Sequence, residues 1–566
     1  MARNLRGHWR RLMAGSALVL AAAFALPRVV PPPALDENRT LAPPPIAPQD
    51  LKTLQAFPKD ADLYVADHFP PRAQLIGALN FLRLKLGVSG SSRVIVGRDG
   101  WLFYDTGTHM GSVRGDPKVS DAEARAWLSG LAGRTEALRA QGVAYLALAA
   151  PDKEAVYPQH GPAWFAPDPD RTTLKLARLA AQSQAGEIVY PAAELGAAAR
   201  VGTEVYAPYE THWTGLGAYE GYVALMRRLQ AMGVTPAGPR PLSDFSFVKH
   251  SETGTPRNLA LMLGVASFVR IDFPEVDDPA IAPKLTTTWL GDGFDWTKPR
   301  VVDTGLPGKP VLLMTMDSFS NALLPFLYGD FSRIVLAHDQ DGFWRQDLID
   351  RFKPDVAVTE VVESGFQFAM QTGPTASPAA LARIDQAIAH PAKAVAAVAP
   401  TPLLRTGPRA ARALAPVAGR VARVLEGGPG DDRLDGTPQD DVISGHGGND
   451  TIHGGGGADI LRGGKGNDVI DGGAGDDQIW GDLGDDTLTG GPGADRFYGR
   501  EDGGRDLITD FNPAEGDRIV LPPGTAWRLR QDGPDAVVEL RGSRIVLKGV
   551  KAATLPRGWL TFEAEP

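Results

Sequence analysis

Apolar and polar positions follow two alternating spacings from about residue 85 to residue 365. Some segments place apolar residues every three or four positions, as amphipathic helices do, and others are short apolar runs typical of buried strands. This alternation predicts an α/β fold, an open sheet with helices on both faces. The predicted helices are 122–140, 171–185, 217–232 and 321–328, and the predicted strands are 143–150, 187–190, 311–316, 334–337 and 356–361.

A second pattern, with a period of nine residues, occupies residues 427–498. Eight consecutive repeats follow the scheme Gly-Gly-x-Gly-x-Asp-x-apolar-x without a slip in register. This short, unbroken period predicts a parallel β-roll whose stacked coils bury one apolar side chain per repeat, and it disfavours a disordered Gly/Asp tract. The sixth position is always aspartate, at Asp432, Asp441, Asp450, Asp459, Asp468, Asp477, Asp486 and Asp495. The eighth is apolar, at Leu434, Ile443, Ile452, Leu461, Ile470, Ile479, Leu488 and Phe497.

Breaks in these patterns suggest the domain boundaries. Residues 238–300 interrupt the helix and strand rhythm and are interpreted as an insertion of mixed β and loop character. Residues rich in Ala, Pro and Arg precede the repeats and are typical of a linker. The predicted organisation is an export signal or membrane anchor at 1–30, an α/β domain at 31–390, a linker at 391–426, the roll at 427–511, and a β cap with a possible secretion signal at 512–566.

The N-terminus has the layout of an export signal. Four arginines within the first eleven residues precede an uncharged stretch from Leu12 to Leu26, which a proline-rich tract follows. The apolar run is short for a membrane span of about 20 residues, and Ala23-Phe24-Ala25 offers a cleavage site. Export is therefore predicted, and cleavage and retention as an inner-membrane anchor both stay open.

Charge and cysteine content exclude several classes of function. The chain has a net charge of −9 and no cysteine, so disulfides, thiolate metal sites and a cysteine nucleophile are excluded. The acidity belongs to residues 427–521, which hold 21 Asp+Glu against 7 Lys+Arg. An acidic array of this kind would repel phosphate, so a nucleic-acid partner is not expected.

Two segments of the α/β region could carry catalytic chemistry. Ser318 follows an apolar run and precedes a helical segment, and a strand-to-helix turn of this kind exposes the side chain beside backbone N–H groups. Glu210 stands two residues before His212, so in an extended chain both side chains would point to one face. Glu210 could then orient His212, which could deprotonate Ser318.

Each of these signals also has an ordinary structural interpretation. A serine after a strand is usually a turn residue, and Glu-x-His is common by chance. Asp317 is expected to cap the helix that follows it, and Lys153 to form a structural ion pair with Asp152. Trp101 and Phe103 are expected in the core. His446 and His453 occupy variable repeat positions and are expected to face solvent.

The repeat array resembles the RTX, or haemolysin-type, calcium-binding repeats over residues 427–511. Its glycines permit left-handed turns, and its aspartates supply the hard oxygen ligands that calcium prefers. Calcium is therefore the expected cofactor, with the eight sixth-position aspartates as metal ligands and each ion shared between neighbouring coils. Thr437, Pro438 and Gln439 replace the usual residues of the second repeat, where weak binding is expected. Without calcium the array is expected to be unfolded.

Residues 36–365 resemble the SGNH-hydrolase-like domain of the alginate O-acetyltransferases, the AlgJ/AlgX family. The matching stretches, in order, are Glu37 to Arg39, Asp67 to Arg72, Val96 to Tyr104, Pro151 to Lys153 with Tyr157-Pro158, Thr211 to Thr214 with Gly217-Ala218, and Asp317 to Ser320. The resemblance implies that Ser318 is the nucleophile, His212 the general base and acid, and Glu210 the orienting carboxylate. The family pattern has Asp where Glu210 stands and usually Gly where Met316 stands.

These observations predict an exported O-acetyltransferase that moves an acetyl group through a serine acyl-enzyme onto an exopolysaccharide. The resemblance implies an alginate-like acceptor and a membrane-bound O-acyltransferase as the donor partner. A carbohydrate acetylesterase with the same residues and an inactive polysaccharide-binding matrix protein stay open as alternatives. The expected location is the periplasm, or the cell surface and medium. RTX proteins usually leave by a C-terminal signal, which makes the Sec-type N-terminus unusual.

Overall fold

The computed structural model describes residues 72–105, 107, 110–250, 258–263, 265, 269, 273–291, 297–392, 414, 417, 420–427 and 431–563. The predicted export segment lies outside these residues. So do the family-like stretches 37–39 and 67–71, and most of the predicted linker.

Helices and strands alternate through the first two thirds of the chain, and strands predominate in the rest. The helices are α1 (Arg72–Lys85), α2 (Gly111–Arg114), α3 (Asp121–Ala140), α4 (Lys153–Val156), α5 (Thr172–Ser183), α6 (Ala192–Arg200), α7 (Gly215–Ala231), α8 (Asn258–Leu263), α9 (Leu324–Leu327), α10 (Gln346–Phe352) and α11 (Pro378–Ala389). The strands before the repeats are β1 (Val94–Val96), β2 (Leu102–Tyr104), β3 (Ala144–Ala150), β4 (Glu187–Val189), β5 (Ser246–His250), β6 (Phe273–Asp277), β7 (Thr286–Trp289), β8 (Arg300–Asp303), β9 (Val311–Met316), β10 (Arg333–His338) and β11 (Val356–Val362).

The strands of the C-terminal third are short and regularly spaced. They are β12 (Arg420–Glu426), β13 (Arg433–Thr437), β14 (Asp441–Gly447), β15 (Thr451–Gly456), β16 (Ile460–Lys465), β17 (Val469–Ala474), β18 (Gln478–Leu483), β19 (Thr487–Thr489), β20 (Arg496–Tyr498), β21 (Arg505–Ile508), β22 (Arg518–Leu521), β23 (Arg528–Asp532), β24 (Asp535–Glu539), β25 (Arg544–Leu547) and β26 (Leu560–Phe562).

Contacts divide the chain into two compact units. The first unit comprises 1–278, 317–327 and 358–403, and the second comprises 279–316, 328–357 and 404–566. The boundary at residue 390 proposed from the sequence therefore does not coincide with this division, and the domain limits stay a prediction.

The predicted helices at 122–140, 171–185 and 217–232 and the predicted strands at 143–150 and 187–190 form in the first unit, whereas the predicted strands at 311–316 and 334–337 belong to the second. Strand β3 is buried along its whole length and pairs in parallel with β4. Helix α3 begins where expected because Ser120 and Glu123 form a capping box, in which each side chain binds the other's backbone N–H. Fully buried Arg134 of α3 donates hydrogen bonds to the carbonyls of Ala369 and Thr372. These bonds fasten α3 to the chain that follows β11.

One predicted helix forms differently. The helix expected at 321–328 is a 3-10 helix at Ser318–Ala322 followed by the short α9. Pro325 lacks the N–H that an α-helix through this segment would need, so the two turns remain separate.

The second unit contains the repeat coils. The coils form two parallel ladders, one in the order β12-β14-β16-β18-β20-β22-β26 and the other in the order β13-β15-β17-β19-β21-β25, and each step along a ladder is one coil of two repeats. The eighth-position apolar side chains from Ile443 to Phe497 are buried in a shared core, and the antiparallel β23, β24 and β25 contribute to it. The predicted α/β class and C-terminal parallel β-roll are confirmed.

The predicted linker is only partly a linker. Its last residues form β12, which pairs in parallel with β14 and antiparallel with β7. Strand β7 in turn pairs with β8, and β8 with β10. Residues 420–426 therefore pair with the first full coil on one side and with β7 on the other, and the limits of the linker stay a prediction. The composition of this segment indicated a linker, because amino-acid composition does not show which backbone groups will pair.

Candidate active site

Ser318 is the first residue of a turn that begins directly after a buried strand. Strand β9 ends at Met316, and Asp317 caps the 3-10 helix by accepting a hydrogen bond from the N–H of Phe319 at 2.8 Å. The second carboxylate oxygen of Asp317 accepts from the N–H of Val362 at 2.7 Å. The interpretation of Asp317 as a cap is confirmed, and its two hydrogen bonds fix the turn that presents Ser318.

The three residues singled out from the sequence form one hydrogen-bonded chain. His212 Nε2 lies 2.8 Å from Ser318 Oγ, and His212 Nδ1 lies 2.8 Å from Glu210 Oε1. Ser318 and His212 are 106 positions apart in the sequence. An imidazole between a hydroxyl and a carboxylate is the arrangement that activates a serine nucleophile.

Glu210 is well placed to remain ionised. Burial opposes its charge, but hydrogen bonds and charge attraction from His212, with a further bond from the N–H of Thr211, outweigh burial and hold the pKa of Glu210 below its ordinary value. Its second oxygen, Oε2, accepts from the N–H of Asn258 at 3.4 Å. The extra methylene of glutamate, compared with the aspartate of the family pattern, therefore still permits contact with the imidazole.

Lys153 does not play the part expected from the sequence. Its ammonium group is buried and donates to the backbone carbonyls of Ala207, Pro208 and Glu210 at 3.2, 3.2 and 2.8 Å, and the expected ion pair with Asp152 is not among its contacts in the described chain. Three carbonyls converge on one ammonium, which fixes the loop that carries Glu210 and His212. The sequence gave no indication of this role, because every residue has a backbone carbonyl and the acceptors therefore cannot be recognised from residue types.

A cavity of about 290 Å³ opens beside the serine and the imidazole. Polar groups from several segments line it, together with aromatic and thioether side chains. The lining consists of Tyr104, Met110, Ser112, Asp152, Lys153, Glu154, Thr211, His212, Asn258, Met262, Ser318, Phe319, Val362 and Ser364. Met316 is fully buried and is not among these described lining residues. Phe103 is buried as expected, and Trp101, which is only partly buried, stacks on His160.

Asp152, which lines this cavity, and the neighbouring Glu363 are buried acidic groups. Asp152 accepts hydrogen bonds from Ser112 at 2.7 Å and Ser364 at 3.3 Å, and Glu363 forms an ion pair with Arg171 at 2.8 Å. Burial, with repulsion from Glu363, raises the pKa of Asp152 to about 7. Sequence reasoning missed these residues except Asp152, since Ser112, Ser364 and Glu363 are scattered along the chain.

The aspartates of the roll form a ladder. In each coil the backbone N–H of the sixth-position aspartate donates to the carboxylate of the aspartate 18 residues later, as between Asp450 and Asp468 at 2.8 Å and between Asp459 and Asp477 at 2.8 Å. One carboxylate oxygen is thus used by the protein. Burial raises the pKa of Asp468 and of Asp477 to about 7.

The other oxygen of these carboxylates is buried without a hydrogen-bond partner. In the described roll this holds for Oδ2 of Asp450, Asp459, Asp468, Asp477, Asp486 and Asp495, whereas in Asp441 the partnerless oxygen is Oδ1. Glycine keeps the space beside each oxygen open, because a Cβ at Gly463 would lie 2.2 Å from Asp468 Oδ2. A cation fits such a site, since buried oxygens without partners are costly and calcium prefers oxygen ligands. Among the described residues no three His, Cys, Asp or Glu side chains are placed to hold one metal ion together, so backbone carbonyls would have to complete the shell.

The ladder continues past the eight repeats, which sequence reasoning missed. Asp506 accepts from the N–H of Asp486, and Asp517 accepts from the N–H of Asp495 at 3.1 Å. The spacings grow to 20 and 22 residues, so a strict period ends at residue 498. The part of the repeat pattern that persists beyond residue 498 is Asp-x-Ile, at 506–508 and 517–519. Both isoleucines are buried in the core of the roll.

The second repeat departs from the others as its sequence suggested. Thr437 donates from its N–H and from its hydroxyl to Asp441 Oδ2, the oxygen that lacks a partner in the described repeats from Asp450 onwards. Weak metal binding in this turn stays a prediction. His446 is exposed and His453 is half-buried, at 3.6 Å from Asp471.

Two family descriptions match parts of the chain. Residues 94–278 match the SGNH hydrolase-like domain of the acetyltransferase AlgX. Residues 426–461, 453–488 and 481–505 match the RTX calcium-binding nonapeptide repeat. The predicted resemblances are therefore confirmed, and RTX nonapeptide repeats bind calcium. None of the curated proteins matches the chain.

Similar solved structures cover the two parts separately. The O-acetyltransferase domain of Pseudomonas putida AlgJ is 18% identical, covers 52% of this chain and 99% of its own, and has a TM-score of 0.34. Bacillus cereus PatB1 is 11% identical over 51% of this chain and 100% of its own, with a TM-score of 0.37. The R2 subunit of the Azotobacter vinelandii mannuronan C5-epimerase AlgE6 is 30% identical over 25% of this chain and 92% of its own, with a TM-score of 0.18.

Removal of calcium should unfold the roll. Without a cation, the partnerless carboxylate oxygens of the ladder face one another's charge and lose their compensation. We expect chelation by EGTA to abolish the β-signal of the roll in circular dichroism and calcium to restore it, with a thermal midpoint that rises with calcium concentration. Magnesium at the same concentration should not restore the signal, because Mg²⁺ demands octahedral geometry and keeps its waters. Identical spectra with and without EGTA would contradict the prediction.

Asp152 should make the first unit less stable as the pH rises. The folded protein keeps the Asp152 proton to about pH 7, whereas the unfolded chain loses it near pH 4. Unfolding therefore releases this proton between about pH 4 and about pH 7, and stability falls across that interval. We expect Asp152→Asn to raise the thermal midpoint at pH 8 by about 2 °C or more and to change it little at pH 4. In calorimetry, the exposed-site control Asp350→Asn should show no such difference, and an Asp152→Asn gain of equal size at both pH values would refute this account.

Proposed function

We propose that this chain is an exported O-acetyltransferase that moves an acetyl group through an acyl-serine onto a hydroxyl of an exopolysaccharide. The observation that carries the proposal is the hydrogen-bonded chain Glu210–His212–Ser318, with both contacts at 2.8 Å, beside a cavity. The match of residues 94–278 to the AlgX-type domain supports acetyl transfer as the reaction class.

In the first half-reaction Ser318 attacks the acetyl carbonyl of the donor. His212 Nε2 takes the proton of Ser318 Oγ as the new C–O bond forms, and it returns that proton to the leaving group when the donor bond breaks. Glu210 stabilises the imidazolium that exists between these two transfers. The product is an acetyl ester on Ser318, with His212 neutral again.

The developing oxyanion needs hydrogen-bond donors. Ser318 begins a helical turn, where backbone N–H groups have no acceptor within the helix. Asn258 lines the same cavity, and its Oδ1 accepts from the N–H and the hydroxyl of Thr211. This arrangement leaves the amide NH₂ of Asn258 for the substrate. We assign the Ser318 N–H and the Asn258 amide as the oxyanion donors.

In the second half-reaction a sugar hydroxyl replaces the donor. His212 Nε2 takes the hydroxyl proton while the sugar oxygen attacks the acetyl carbonyl, and Ser318 Oγ recovers a proton from the imidazolium as it leaves. The family resemblance supports an alginate-like polymer as acceptor and a membrane-bound O-acyltransferase as donor partner. Both remain parts of the proposal, as do the roles of the roll aspartates as calcium ligands.

The proposed location is the periplasm or the outer surface. The export-like N-terminus and the calcium-binding repeats support it, because extracellular calcium is abundant enough for weak sites. Among the described residues no helix is both long and apolar enough to cross a bilayer.

The deciding experiment separates transfer from hydrolysis. The full chain, with calcium, is given a chromogenic acetyl ester with and without an oligouronate, and products are analysed by mass spectrometry. We expect acetylated oligouronate from the parent, none from Ser318→Ala, and parental yields from the remote control Ser246→Ala. Free acetate without acetylated sugar would instead identify an esterase. Parental transfer by Ser318→Ala would remove the serine mechanism, and absence of both products from a folded parent would favour the matrix-protein alternative.

Shortening the orienting carboxylate should impair the enzyme, although aspartate is the residue of the family pattern. Here the loop is fixed by Lys153 so that a glutamate, not an aspartate, reaches His212 Nδ1. We expect Glu210→Asp to lower kcat/KM for the acetyl ester about a hundredfold, as small misplacements of catalytic groups do. Glu210→Gln, which keeps the length and removes the charge, should lower it further. An aspartate variant as active as the parent would show that the loop adjusts.

A further inference from the structure

Helix α1 is held firmly on one side. Asn80 is buried and donates from Nδ2 to the carbonyl of Leu263 at 2.8 Å, and Leu84, one turn later, is buried in a cluster with Leu259 and Leu263. The turn after α1 packs closely on the same side, since a Cβ at Gly90 would lie 2.2 Å from Asn80 Oδ1. The orientation of α1 on the first unit is therefore fixed by packing.

The opposite side of α1 is apolar and exposed. Leu79, Leu82, Leu86 and Val88 are 48, 57, 71 and 53% exposed. The three leucines follow the spacing i, i+3 and i+7, which places them in one stripe along the helix and its C-terminal extension. We call these four residues the leucine face. Four large apolar side chains together differ from the single exposed residues that are ordinary on protein surfaces.

The stretch of sequence that contains the leucine face is basic. From Arg72 to Arg98 the sequence contains five basic residues and no acidic residue, although the whole chain has a net charge of −9. Arg83 and Lys85 are exposed and alternate with the leucines along the helix. Exposed leucines interspersed with basic residues are found in helices that lie in a membrane interface.

We propose that the leucine face docks the first unit on an anionic bilayer surface, with α1 lying in the plane of the interface. The leucines enter the boundary between headgroups and acyl chains, while Arg83 and Lys85 bind the lipid phosphates. This attachment is separate from the predicted export segment at the N-terminus. It would hold the proposed catalytic cavity at a membrane surface whether or not that segment is retained.

The absence of cysteine from the chain makes a direct test straightforward. Leu82→Cys in the full calcium-loaded chain is labelled with an environment-sensitive fluorophore, and vesicles of phosphatidylglycerol and phosphatidylethanolamine are added. We expect a blue shift of the emission that neutral phosphatidylcholine vesicles do not produce and that high salt weakens. The matched control Val201→Cys, at a site 83% exposed elsewhere on the first unit, should not shift. Because the signal is local, binding through the N-terminal segment cannot imitate it.

Several outcomes would overturn the proposal. Protein that sediments with the vesicles but gives no shift at position 82 would show that α1 does not touch lipid. A blue shift without vesicles that grows with protein concentration would identify a second copy of the chain as the occupant. A blue-shifted emission without vesicles at all concentrations would indicate that the chain covers the face itself.

A second pair of variants checks the same surface without a label. We expect Leu82→Gln with Leu86→Gln to lower the affinity for anionic vesicles on the order of tenfold or more, and Val201→Gln to leave it unchanged. Equal affinities of the two variants would contradict the proposal. Since neither measurement involves acetyl transfer, the docking surface and the proposed enzyme stand or fall independently.

Discussion

The proposed active site depends on one buried ammonium group. Lys153 joins the carbonyls of residues 207, 208 and 210, and the loop so fixed delivers both Glu210 and His212 towards a serine from a distant part of the chain. A buried cation surrounded by carbonyls is stable only in a closely defined geometry, because each donor must meet its acceptor. Burial opposes the charge of Lys153 and lowers its pKa to about 7. The three carbonyls offset part of this cost, because each accepts a hydrogen bond from the ammonium group. From this loop Glu210 Oε1 reaches His212 Nδ1 at 2.8 Å.

The roll depends on a different constraint, the sharing of carboxylates between coils. From Asp450 to Asp495, each sixth-position aspartate accepts a backbone hydrogen bond from the preceding coil with one oxygen and keeps the other buried without a hydrogen-bond partner. The apolar core of the roll is only one side chain wide per repeat, so little burial is available to compensate for repulsion among the aspartates. Folding of the roll is therefore predicted to require calcium, whereas the first unit has apolar clusters of its own.

Much of this molecule could be read from its sequence, and the omissions have physical causes. Strand β9 has the predicted bounds because six consecutive apolar or small residues lie between Pro310 and Asp317. The roll was predictable because its nine-residue period is a property of the sequence itself. Asp506 and Asp517 were missed because longer connections precede them, although the ladder continues in space. The partners of Lys153 were missed because any residue supplies a carbonyl. The same limit applies to the predicted linker, whose end becomes β12 through backbone pairing alone.

The carboxylate ladder also gives the roll a direction. In every step the N–H belongs to the earlier coil and the carboxylate to the later one, up to Asp506 and Asp517. A coil is therefore completed only by residues that the ribosome adds after it, and the C-terminal end supplies the final acceptors. During export in the order of synthesis, the array would remain incomplete until its last segment emerged.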